Sequence, residues 1–173
     1  MPDSSVLDFL RVPANVLIAL DNRPYHFAMQ PYHYVIRATH VVAMAAFFGG
    51  IGFLDLRLIR TRSAVPLKGL ADHFLPWLYA IFGITVATGV ALFMYDPVHV
   101  GSHAYFTLKL VLTILGLANA AVFHRIGYAP AIVSETGMPI RARVAGTLSL
   151  TIWIAVVVCA CLNVEAAPKV LLR

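Results

Sequence analysis

Four long apolar runs, at about 34–56, 74–95, 105–126 and 144–164, set the pattern of this chain, with its polar residues gathered between them. Each run reaches the roughly 20 residues that a helix needs to cross the hydrocarbon core of a bilayer. The first, YVIRATHVVAMAAFFGGIGFLDL from Tyr34 to Leu56, carries His40 about a turn and a half inside its outer end. On a 3.6-residue period His33, Arg37, His40, Met44 and Phe47 share one stripe. Gly49, Gly50 and Gly52 follow, and a position without Cβ lets a second helix or a flat cofactor come close. The second run opens with His73 and has Pro76 in its expected first turn, where proline is tolerated. Its pairs Thr85/Gly89 and Gly83/Ala87 make small contact faces. The third carries Lys109 and Asn119 and ends in His124 and Arg125. Together the runs predict an all-α fold, an integral membrane four-helix bundle spanning 34–173, with the second and third spans forming a hairpin.

Residues 1–33 are too short and too mixed to span. Asp8, Arg11 and Pro13 interrupt the apolar positions between Val6 and Leu20, which predicts a short N-terminal interfacial helix and a loop at Asp21–Pro24. Tyr25, His26, Phe27, Tyr32 and Tyr34 read as an aromatic belt at the entry to the first span. The N-terminus lacks the basic and apolar regions of a signal peptide.

Composition agrees with the pattern. The 173 residues are 60% hydrophobic and 12% charged, and the mean hydropathy is +0.81. The formal charge of +5 sits in short loops between spans, where it reports topology and not nucleic-acid binding. The connections 57–68 and 125–143 are basic, whereas Asp96–Ala104 has no Lys or Arg but holds His99 and His103. The positive-inside rule therefore places the basic loops of this multi-pass protein in the cytoplasm and both termini outside; a bacterial inner membrane is the expected setting. Arg11, Arg23 and Arg37 weigh against this orientation. Cys159 and Cys161, two apart on one helix, face different ways and predict no bridge.

The titratable groups fall into two layers. His33, His40, His99, His103, Lys109 and Glu165 lie toward the outer face; Asp55, His73 and His124 lie toward the inner. Paired imidazoles on bundle helices are how membrane b-type cytochromes hold haem, with arginines near the surface for the propionates. His40, Lys109, Arg37 and Arg125 are the candidate cofactor-binding residues. His40, His73, His124 and His103 are the candidate metal ligands. The plainer reading makes His26, His33, His99 and His103 interfacial polar residues and lets Lys109 snorkel to the surface.

The residues THVVAMAAFFGG in the first span, Thr88-Gly89 in the second, YFTLKLVL in the third and the closing His124-Arg125 carry a resemblance. Over about 34–126 the chain resembles short four-helix bacterial membrane proteins related to the copper-resistance D membrane domain and to the HemJ-type protoporphyrinogen oxidase. The resemblance implies that His40 and Lys109 belong to a haem- or porphyrin-handling site; on the copper side it implies copper passage.

The leading expectation is a haem-b-binding subunit carrying electrons between a quinone and an outer-face redox partner, an accessory subunit more than a stand-alone enzyme. The alternatives are a cofactor-free structural or assembly subunit, among other membrane subunits or as a homo-oligomer, and copper transport. Topology is directly testable: a cysteine placed at Ser102 is expected to react with an impermeant thiol reagent from outside intact cells, and one at Ser63 is not. The reverse labelling pattern inverts the orientation.

Overall fold

The computed structural model describes residues 10–61, 65–133 and 137–164. Its helices are α1 (Ala14–Leu20), α2 (Arg23–Met29), α3 (His33–Ile59), α4 (Leu67–Tyr95), α5 (Pro97–Gly101), α6 (Ala104–Ile126), α7 (Tyr128–Val133) and α8 (Ile140–Val164). The long helices α3, α4, α6 and α8 are each long and apolar enough to cross a membrane. Their outward faces carry Val42, Phe53, Trp77, Ile84, Ile114, Val122 and Ile154, all exposed. Such surfaces belong in lipid, where a helix satisfies its own backbone groups. The chain is an all-α, multi-pass membrane protein with four spans in a bilayer, preceded by short N-terminal helices.

The N-terminal segment differs from the single interrupted helix expected. Pro13 does not break α1 but precedes it, its carbonyl accepting from Val16 and Leu17 N–H. The loop at Asp21–Pro24 shrinks to Asp21 and Asn22, because Asn22 caps a second helix by accepting from Tyr25 N–H at 3.2 Å, with Pro24 in its first turn. Residues 1–9, including Val6 and Asp8, lie outside the described residues. Leu17 is 1% exposed because α1 packs on α5, where Gly101 leaves room for its side chain. The aromatic belt divides. Tyr25 donates to the Ala91 carbonyl and His26 meets Tyr95, both on α4, while Phe27, Tyr32 and Tyr34 are exposed.

The long helices pack in the order α4, α3, α8, α6. The expected hairpin of the second and third spans is therefore corrected. The helices α4 and α6 do not pack along each other; near the α5 end they meet through the stacked rings of Phe93 and Phe106, 5.0 Å apart. The five residues of α5 hold them apart, leaving α3 and α8 to form the central contact. Pro76 also sits differently. Helix α4 starts at Leu67, so the proline lies inside it and the Asp72 carbonyl loses its helical donor.

The core is an aromatic junction. Phe47 of α3 meets Phe82 of α4 at 5.1 Å and Trp153 of α8 at 4.9 Å, with Leu54, Leu78, Val156 and Leu112 around them. Small residues set the close approaches. A Cβ on Gly50 would fall 2.6 Å from Leu78, and one on Gly116 would fall 3.1 Å from Trp153. On Gly146 it would lie 2.9 Å from Leu58 Cβ and 3.0 Å from the Asp55 carbonyl. Neither of those last two neighbours can swing aside. We expect Gly146→Ala to destabilise the bundle by about 1–3 kcal/mol, the usual effect of overpacking. Gly49→Ala, into open space, is expected to leave the melting temperature unchanged or raise it. Thermal unfolding in nanodiscs reads both.

Candidate functional site

His40 is held by α4. Its Nδ1 is 3.0 Å from Thr88 Oγ1. That hydroxyl donates its own proton to the Ile84 carbonyl at 2.6 Å, with the Thr85 carbonyl at 3.2 Å. A hydroxyl has one proton, so Thr88 accepts from the imidazole and Nδ1 carries the hydrogen. The lone pair is thereby placed on Nε2. Gly89 lies off the Cε1 edge of the ring, where a Cβ would stand 3.0 Å from Cε1. A side chain there would press on the imidazole.

Lys109 of α6 reaches the same level. Its ammonium is an electrostatic neighbour of His40 and of Cys159 on α8, and its Nζ lies 5.5 Å from the centre of the Phe106 ring, within cation–π range. His40 thus meets Thr88 directly, and the charge of Lys109 is felt by His40 and by Cys159. The site combines an imidazole with a directed lone pair, a cation, and walls of lipid-facing helices. It suits a ligand that offers an electron-pair acceptor and an anionic group.

The other sequence candidates lie elsewhere. Arg37 is exposed one turn from His40 toward the α5 end. Arg125 is also exposed and stands about 24 Å along α6 from Lys109, too far to share a ligand's charge with it. His73 and His124 lie on α4 and α6, the two spans that do not pack along each other. Both are exposed; His73 meets Phe74 edge-on, and His124 stacks on Tyr128 at 5.4 Å. His103 meets His99 with ring centres 5.4 Å apart and its Nδ1 at 2.8 Å from the His99 carbonyl. Glu165, the expected anionic neighbour of Lys109, lies outside the described residues. Among the described residues no three His, Cys, Asp or Glu side chains gather into a metal-holding group.

No family model, no curated protein and no solved structure matches the chain. What the site does is read from its own chemistry.

Two features were missed in the sequence. Thr88 stood there only as half of a Thr-Gly pair, although a hydroxyl level with His40 on a neighbouring span is the signal that marks its role. His26 and His33 stood as interfacial residues, yet they sandwich Tyr95 with ring centres 4.3 and 4.9 Å away and planes within 12° and 11°. His26 Nδ1 also donates to the Tyr95 carbonyl at 2.8 Å. This stack ties α2 and α3 to the end of α4. In His26→Ala we expect faster amide exchange across 14–29 and unchanged protection at 84–92, read by hydrogen-exchange mass spectrometry.

Proposed function

We propose that this chain is a haem-b-binding membrane subunit that carries electrons between a quinone and a redox partner on the outer face. His40 is the residue for the iron and Lys109 the partner of a propionate. The observation that carries this reading is the 3.0 Å contact of His40 Nδ1 with Thr88 Oγ1, a hydroxyl already turned toward carbonyls of α4. A second hydrogen bond that fixes the tautomer and turns Nε2 outward is the usual support of a metal-ligating imidazole. Lys109, whose charge His40 feels, supplies what a propionate needs, and Gly89 leaves room off the Cε1 edge of the ring.

The fit is to one imidazole and not to two. His73 and His124 are not placed to face each other, and below His40 the interior is filled by Phe47, Phe82 and Trp153. When bound, haem contributes one-electron chemistry at iron, tuned by its axial ligand and surroundings. The chain's own contribution is orientation of His40 by Thr88, charge neutralisation by Lys109 and exclusion of water by the surrounding lipid and apolar side chains.

A second reading, the cofactor-free assembly subunit, is favoured by the face between α3 and α4. There Ala46, Gly49, Phe53, His73 and Trp77 line a groove of about 340 Å³, and Gly49 and Gly52 look onto open space. Small residues on an apolar face admit a partner helix. The copper reading, transport through the outer histidines and Met44, draws on the paired rings of His99 and His103.

Purified protein separates the three. We expect a reduced-minus-oxidised spectrum with a haem b alpha band and pyridine-extractable haem. We expect His40→Ala to lose at least nine-tenths of it, Lys109→Met and Thr88→Val to lose about half or more, and His26→Ala and His124→Ala to keep it. Those magnitudes follow from the 10–100-fold effects of supporting residues on metal affinity. Folded but colourless wild-type protein would overturn the haem reading, and copper in that sample by elemental analysis would install the transport reading.

A further inference from the structure

The most deeply buried carboxyl among the described residues takes no part in this site. Asp55 lies near the α7 end of α3, about four turns from His40, and is 3% exposed. Its Oδ2 is fully enclosed and has no hydrogen-bond partner. The Ser149 hydroxyl of α8, itself 6% exposed, faces the carboxyl. Leu54 and Leu58 are buried on either side, and Gly146 brings the α8 backbone down onto the Asp55 carbonyl.

Among the described residues no cation pairs with it. Arg57 on the same helix donates Nε to the Val65 carbonyl at 2.7 Å, and its second nitrogen is enclosed and unpaired. Arg143 on α8 donates Nε to the Ile59 carbonyl at 3.2 Å. On α4, Lys68 pairs with Asp72 at 2.6 Å, and His73 faces the groove. On α6, the Asn119 amide is committed to the Ala145 carbonyl at 3.0 Å. A carboxylate here would hold a full charge among apolar side chains with one hydroxyl for company, which a membrane interior does not sustain. A carboxylic acid fits, because its O–H needs one acceptor and carries no net charge. A metal cation does not fit, since it would require several further oxygens.

We propose that Asp55 is an intramembrane proton-binding site, held as a neutral acid between α3 and α8 with Ser149 as its hydrogen-bond partner. Loading forms one O–H bond on the carboxylate and unloading breaks it, with no electron moved. The site does not depend on haem at His40.

The test uses the full chain in nanodiscs. The infrared difference between wild type and Asp55→Asn is expected to show loss of a protonated-carboxyl C=O band that shifts in heavy water. Loss of carboxylate stretches instead would overturn the proposal. Dicyclohexylcarbodiimide provides a second measurement on unaltered protein. The acid proton passes to a carbodiimide nitrogen and the carboxyl oxygen bonds to its carbon, and the adduct rearranges to a stable N-acylurea without losing atoms. Mass spectrometry is expected to find the adduct on the peptide containing Asp55, with yield falling as pH rises. No adduct at any pH, or protection by sodium at fixed pH, would overturn the proposal.

Discussion

Helices in lipid gain little from hiding leucine against leucine, because the hydrocarbon they leave is as apolar as the one they enter. Their association depends on close backbone approach and on the few polar groups that must find partners. In this chain both conditions meet on α3. Gly50 lets α4 close on one side of it, and Gly146 lets α8 close on the other. His40 then reaches Thr88 on α4, while Asp55 faces Ser149 on α8. The helix is a shared wall whose two polar positions point to different neighbours at different depths.

The spans were legible because lipid imposes a length, and four runs of sufficient length leave little choice. Which spans touch was not legible. All four long helices are apolar on nearly every side, so hydropathy carries no direction, and consecutive spans were assigned to each other by default. The five-residue helix α5 separates α4 from α6 instead. Pro76 misled for a related reason: apolar character begins near Phe74, but the helix begins at Leu67, in a stretch whose Lys68–Asp72 pair reads as loop.

For the site, depth was legible and azimuth was not. Residue counts from the span ends put His40 and Lys109 at one level, and in the fold His40 feels the charge of Lys109. The same reasoning put His73 and His124 at similar depth, yet they sit on the two spans that stand apart. Arg125 belongs to the opposite end from His40. Asp55 was visible as a charge in an apolar run, but its burial depends on which face α8 covers, and that is a tertiary fact.

The order of the chain adds a consequence for biogenesis. Asp55 enters the bilayer with the first span, whereas Ser149 and Gly146, which shelter it, are synthesised with the fourth. Throughout the insertion of α4 and α6 the carboxyl faces lipid or the insertion machinery without its partner. The bundle is therefore closed by α8, and a ribosome stalled before it leaves three helices whose central wall still has one side open.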